Sequence, residues 1–233
     1  MRTISKILLA IALFIFILSE TNAQTRRRLT SDFHVGLNMA TMDIEGANMD
    51  KVIKLGVQVG ANVNYKILGN VQLQTGFYIS KRGLAQDIKR RETDPVLNIV
   101  NVTETKERTA AAYIQMPFCL GYEVYLSDSF AFNLNGGVYG AYGFRGKRST
   151  EGFQTLIDPD GSETTTLYGY EESETFEIRK WQRLDYGLIG KVGLIYDVYT
   201  VNVGYEYGLA NAFDGSQSVL KNRNMTISFG FRF

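Results

Sequence analysis

From Phe33 onward, the dominant pattern is an apolar side chain at every second position. Leu55, Val57, Val59, Ala61, Val63 and Tyr65 alternate with Lys54, Gly56, Gln58, Gly60, Asn62 and Asn64. An extended strand sends successive side chains to opposite faces, so this stretch predicts a strand with one greasy and one polar side. A helix would scatter the same residues around its circumference. The period repeats over residues 33–39, 71–80, 114–123, 130–144, 184–196, 201–209 and 224–233, which makes eight strands in all. Each is close to the ten or so residues that a tilted strand needs to cross a bilayer.

The connections alternate in length. Residues 66–70, 125–129 and 197–200 are short, whereas 41–53, 82–109, 145–182 and 210–223 are long. Both chain ends then lie at the short-turn end, an arrangement that matches short periplasmic turns and longer extracellular loops. The predicted fold is all-β, an eight-stranded antiparallel up-and-down transmembrane β-barrel. Two long connections are rich in both signs of charge, and two readings of them stand. They form a surface for a partner, polysaccharide or lipopolysaccharide, or they are strands continued beyond the membrane. Asp158-Pro159-Asp160-Gly161 is a turn signal that predicts a protruding hairpin over residues 153–176.

Alternation alone also fits a soluble lipocalin-like binding barrel, with its apolar face turned inward around a ligand. Three features favour the apolar face outside. Roughly forty apolar side chains exceed what an eight-stranded lumen holds. Gly36, Gly60, Gly76, Gly121, Gly137, Gly187, Gly204 and Gly230 all fall on the polar face, where a crowded interior needs space and a solvated exterior gains nothing. Tyr65, Tyr122, Phe130 and Tyr196 fall at the short-turn rim, and Phe229, Phe231 and Phe233 close the chain, as an interfacial girdle requires. Pro117 cannot donate a ladder hydrogen bond, so a bulge or a locally broken ladder is expected there.

Composition narrows the picture further. With 3 Pro, 23 Gly, 14 Tyr and 14 Phe, the chain suits long strands. A formal net charge of +1 gives no pull toward nucleic acid. The single cysteine, Cys119, excludes an internal disulfide framework. Arg2 and Lys6, the apolar run 7–18 and Thr21-Asn22-Ala23 together read as a secretory signal peptide, with an apolar run too short to span a bilayer. The expected organisation is therefore 1–23 signal peptide, 24–32 periplasmic leader and 33–233 barrel.

The signal peptide, the Tyr113-Ile114-Gln115-Met116-Pro117-Phe118 stretch, Leu184-Asp185-Tyr186-Gly187 and the Phe231-Arg232-Phe233 end resemble the outer-membrane β-barrel domain family, often labelled "porin family". The build is similar to that of small OmpA/OmpX-type barrels. The resemblance covers essentially the whole mature chain. It implies a bacterial outer-membrane location, and a terminal aromatic read by the barrel-assembly machinery, a position matched here by Phe233 within the Phe229, Phe231, Phe233 series. It defines no catalytic residues.

The chemistry-bearing candidates are the inward polar groups Gln115, Glu123, Arg183, Asp185, Lys191 and Glu206. Either they pair and plug the lumen, or they line a gated path for protons, ions or a small solute. His34, the only histidine, lies near the periplasmic end of the first strand without an evident partner, which predicts a spectator. One His and one Cys leave too few soft ligands for a zinc or transition-metal site, and no cofactor is expected. The expected function is a non-enzymatic structural or interaction protein, probing a surface ligand through its loops, in contact with outer-membrane lipid and monomeric. The alternative is a narrow porin-like conduit.

Overall fold

A computed structural model describes residues 28–44, 53–94, 99–176, 181–212 and 219–233. The signal peptide and residues 24–27 of the leader lie outside them. Among the described residues are nine strands: β1 (Leu29–Ile44), β2 (Lys54–Leu68), β3 (Val71–Thr93), β4 (Val100–Tyr125), β5 (Phe130–Ile157), β6 (Glu163–Glu174), β7 (Leu184–Tyr196), β8 (Tyr199–Gly208) and β9 (Leu220–Arg232). Eight of them close a ring, β1-β2-β3-β4-β5-β7-β8-β9, with every neighbouring pair antiparallel. Closure is made by the first and last strands, whose register sets Phe33 opposite Phe231 and Leu37 opposite Ile227. The eight-stranded barrel is therefore present as the alternation predicts.

The short turns need little chain because backbone conformation reverses direction for them. Gly69, at φ 55°, supplies the left-handed residue between β2 and β3, and Asp197, at φ 53°, does so between β7 and β8. Aspartate is among the few side-chain-bearing residues that tolerate that region.

The barrel is inverted relative to a soluble fold. Val35, Leu37, Val57, Leu120, Val138, Leu188 and Phe229 are exposed on its outer surface, while Asn38, Asn64, Gln72, Gln74, Gln115, Glu123, Asn135 and Glu206 are buried inside. No solvated monomer would present so continuous an apolar exterior. The inner glycines are crowded, as the sequence argument requires. A Cβ on Gly60 would meet the Tyr78 ring at 2.3 Å, and one on Gly230 would meet His34 Nδ1 at 2.4 Å. Outward Gly140 and Gly190, by contrast, have nothing within 4 Å.

One departure from the sequence expectation matters, and the structure decides two points that the sequence left open. The barrel begins before Phe33: residues 29–32, assigned above to the leader, pair with Asn62, Val63, Asn64 and Tyr65 of β2. Asp32 interrupts no apolar series, because its side chain faces inward with His34. The long connections 82–109 and 145–182 are largely strand. β3, β4 and β5 run 23, 26 and 28 residues, against 10 for β8. The expected hairpin forms as β5 and β6, turning through Gly161 at φ 85°, and β6 lies outside the ring, paired only with β5. At Pro117 the β3–β4 ladder is interrupted between the Thr75–Phe118 and Tyr78–Gln115 pairs without a shift of register. The Thr75 hydroxyl donates instead to the Pro117 carbonyl at 2.9 Å.

Candidate functional site

Strand alternation delivers polar side chains into the lumen at regular heights, and they gather into two charged clusters. Near the short-turn end, Arg232 Nε lies 2.6 Å from Asp32 Oδ1, and its NH1 reaches Glu123 Oε2 at 2.7 Å. Lys66 Nζ stands 3.5 Å from Glu123 Oε1. Asn64 donates to Asp32 Oδ2 at 2.7 Å and accepts from Gln74 at 2.7 Å. Two cations thus face two carboxylates, joining β1, β2, β4 and β9 across the interior. Such a buried set is tolerable because charge and hydrogen bonds are both satisfied.

His34 belongs to this end and is not isolated. Its Nε2 is 3.9 Å from Asp32 Oδ2, and its Nδ1 lies 3.5 Å from Thr200 Oγ1 and 3.4 Å from Asn202 Nδ2. The order Asp–His–Thr resembles a nucleophile relay, but the two spacings exceed what proton transfer needs, about 2.6–3.2 Å, and all three side chains are buried. The carboxylate partner was two residues away on the same strand face, hidden by the assignment of Asp32 to the leader.

The upper cluster centres on Arg82, only 3% exposed. Its NH1 pairs with Asp185 Oδ2 at 2.9 Å and its NH2 with Glu206 Oε2 at 2.7 Å; Gln115 Oε1 also accepts from NH2. The rings of Tyr113 and Tyr139 lie 5.5 Å and 5.4 Å from the guanidinium carbon, a cation–π arrangement. Gln115 and Asn224 donate to Glu206 at 2.7 Å and 3.0 Å, and Asn222 and Tyr139 to Asp185 Oδ2 at 3.0 Å and 3.2 Å. One guanidinium therefore holds two carboxylates, using the planar fork that lysine lacks.

Between the clusters is a polar cavity of about 10 Å³, lined by Gln58, Asn62, Gln74, Tyr78 and Lys191 among others. That is close to the room one water needs. Lys191 donates to Gln74 Oε1 at 3.4 Å and sits 4.8 Å from the Tyr78 ring centre. Above Arg82 the lumen turns apolar, where Met42, Trp181, Ala212 and Leu220 pack with Phe176. The Phe176 ring meets Tyr113 edge-on at 6.0 Å.

The six lumen candidates from the sequence are thus distributed over distinct places. Gln115, Asp185 and Glu206 share the upper cluster, Glu123 the lower, and Lys191 the cavity between. Arg183 does not join them. It lies just before β7, donates to the Gly143 carbonyl at 3.2 Å and stacks 4.9 Å from the Phe176 ring centre, because the inward series of β7 begins only at Asp185. The hub itself, Arg82, was missed, as were Asp32 and Arg232. Arg82 continues the even-numbered inward series of Gln72, Gln74, Tyr78 and Ser80, a signal masked by the charge-rich segment that follows.

Outside the membrane, β3, β4, β5 and β6 form a four-stranded sheet. Its pairs include Arg148 with Glu107 at 2.7 Å and Lys89 with Glu104 at 3.5 Å. One edge of the sheet is β6, whose sequence Glu163–Glu174 carries Glu163, Glu171, Glu172 and Glu174 with exposed Leu167, Tyr168 and Tyr170. At the opposite end of the molecule, Phe229, Phe231 and Phe233 are exposed, and the Phe229 and Phe231 rings lie 5.4 Å apart, with Tyr199 stacked on Phe229 and tilted against Phe231.

A family profile described as "Outer membrane protein beta-barrel domain" matches residues 22–214. No curated protein matches the chain. Similar solved structures include Ail of Yersinia pestis at 13% identity and TM-score 0.36, covering 89% of this chain and 100% of that one. Neisserial surface protein A is 12% identical with TM-score 0.36, over 90% of this chain and 98% of that one. OprG of Pseudomonas aeruginosa is 13% identical with TM-score 0.36, over 88% and 94%.

Proposed function

Because the chain belongs to the outer-membrane β-barrel domain family, we propose that it serves as a non-enzymatic interaction protein of the bacterial outer membrane, working through its extracellular sheet. The observation that carries this reading is the contrast between the two ends of the same strands. Inside the membrane the lumen is crossed by the Arg82 and Arg232 clusters, with a cavity of about 10 Å³ between them. A conduit for solutes needs continuous polar space, and an eight-stranded barrel is just wide enough for its own side chains.

Beyond the membrane, β3 alone continues from Lys81 to Thr93, roughly 40 Å along the strand at 3.3 Å per residue. Ordered strand of that length costs conformational entropy in every residue, and a barrel that only spans has no use for it. Against catalysis stands the geometry of His34, enclosed and too far from both Asp32 and Thr200 for a relay.

Planar-bilayer recording of the folded protein tests the reading. The expected trace is silent at applied voltages of either sign. Reproducible unitary steps that change in size when Lys191→Gln is introduced would replace it with the conduit.

A further inference from the structure

The outward face of β3, β4 and β5 changes character abruptly at one height. Following the register upward, Ile79, Ile114 and Tyr142 share one rung, and the next holds Lys81, Ala112 and Arg145. Lys147 stands on the rung above, opposite Ala110. Lys81, Arg145 and Lys147 are exposed, and the small Ala112 between the first two leaves the space separating them open. Two strand spacings put the Lys81 and Arg145 backbones about 10 Å apart, within converging reach of two long side chains.

A break in register aims one of these cations. Ala112 pairs with Arg145 but Tyr113 pairs with Gly143, so Phe144 is an extra residue in β5. A bulge re-aims side chains. Here it lets Phe144, 44% exposed, and Arg145 both face outward, the aromatic at the top of the apolar surface and the guanidinium directly above it. Unbroken alternation from Tyr142 would have turned Arg145 into the lumen.

The cations are incompletely neutralised. Among the described residues neither Lys81 nor Arg145 has a carboxylate partner, and Arg145 lies near enough to Lys147 for their charges to repel. Lys147 is held by Glu172, with Glu174 opposite it on β6. Glu174 is level with Lys147, and Glu172 stands farther from the membrane, opposite Ser149. The short-turn rim is built differently, with Asp128 and Asp197 in its turns.

We propose that Lys81, Arg145 and Lys147 form a binding site for the phosphate group of an outer-leaflet lipid headgroup, with the acyl chains of that lipid lying on Ile79, Tyr142 and Phe144. Phosphate accepts charge-assisted hydrogen bonds from the guanidinium and both ammonium groups. The position, one rung above the apolar surface, is the height at which a headgroup sits. Glu172 competes for Lys147, so its neutralisation strengthens the site.

Native mass spectrometry of the folded full-length protein in detergent tests this, using lipid A with its phosphates, dephosphorylated lipid A and inorganic phosphate as probes. The expected result is binding of phosphorylated lipid A at least about tenfold tighter than of the dephosphorylated form, since removing the phosphates removes the acceptors of the charge-assisted hydrogen bonds. The Lys81→Gln/Arg145→Gln/Lys147→Gln variant loses that preference, Glu172→Gln increases it, and Lys89→Gln/Arg91→Gln, on the same face farther from the membrane, preserves it. Resistance of the triple variant to unfolding in cold SDS confirms that it still folds, and Arg145→Gln alone gives an intermediate affinity. Equal binding of both lipid A forms, or an unchanged preference in the triple variant, overturns the proposal. Displacement of lipid A by inorganic phosphate at matching concentration overturns it too, because the site would then read free phosphate.

Discussion

At the residue scale, one buried arginine carries more of the interior than any other side chain. Arg82 holds Asp185 and Glu206 together where no water can replace it. Removing one partner of a buried ion set leaves uncompensated charge, a loss of about 3–5 kcal/mol. Arg82→Ala is therefore expected to lower the urea stability of the liposome-inserted barrel by that amount. Arg82→Lys should recover only part of it, because an ammonium cannot serve both carboxylates in one plane. Equal stability of Arg82→Ala and the unmodified protein would mean the cluster is solvated. The glycines give a sharper comparison. A Cβ at Gly230 would lie 2.2 Å from the Phe33 carbonyl oxygen, a backbone atom in the closing strand pair that cannot move aside. Gly230→Ala should cost about 1–3 kcal/mol by overpacking, whereas Gly140→Ala, open to lipid, should change stability by less than about 0.5 kcal/mol. The same unfolding measurement reads both. Gly230 was legible from the sequence because its spacing alone placed it on the polar face. Arg82 was not, because a strand's inward series gives no sign of where it stops once the outward residues cease to be apolar.

The element scale explains that limit. Within the membrane every outward position must be apolar, so period two is stark and the eight ring strands can be read directly. Beyond it both faces of β3, β4, β5 and β6 meet water, and Lys, Glu and Thr alternate with one another. The pattern vanishes although the hydrogen-bonded ladder continues unbroken from Tyr78–Gln115 to Thr93–Val100. Only the Asp158–Gly161 turn chemistry marked any of this as strand. The outermost pairing also depends on surface charge. Lys147, and after it the Tyr170 hydroxyl, hold the Glu172 carboxyl below its ordinary value of 4.5. A carboxyl depressed in the folded state stabilises it above the unfolded value, and that contribution disappears as pH falls through the folded value. The β5–β6 pairing should accordingly weaken below about pH 4.5 and be indifferent to pH between 6 and 8, on the order of ordinary carboxyl titration. Amide protection factors in β6, measured at pH 7 and again near pH 3.5 (~3 units apart, bracketing the carboxyl range), should fall at the acid end in the unmodified protein and not in Glu172→Gln. Lys147 and Glu172 are 68% and 43% exposed and pair beyond the barrel wall, so this loss is confined to the β5–β6 pairing.

At the scale of the whole molecule, inversion is what links fold, location and the two surfaces proposed to bind. The eight strands have one face that water would reject and another that lipid would reject, and only a closed ring in a bilayer satisfies both while leaving no unpaired edge. Closure brings Asp32 and Arg232 together across nearly the full length of the chain, so the lower cluster exists only once the ring is complete. The upper cluster and apolar cap then fill the same enclosed space, and the extracellular sheet is left standing in the medium. All of this depends on which side of the strands touches lipid, and that can be measured directly. Val57 on β2 and Leu188 on β7 are 55% and 51% exposed on the outer surface, while Asn62 and Ile189, neighbours on the same strands, are buried within. Spin labels at Val57 and Leu188 in the reconstituted barrel should be relaxed by oxygen, which partitions into the bilayer, and little affected by a water-soluble nickel chelate. A label at exposed Tyr170 of β6 should show the reverse, since that strand stands in water. Nickel contact at Val57 and Leu188 would place water on the apolar face, and with it the polar side chains, the clusters and the headgroup rung on the wrong side of the wall.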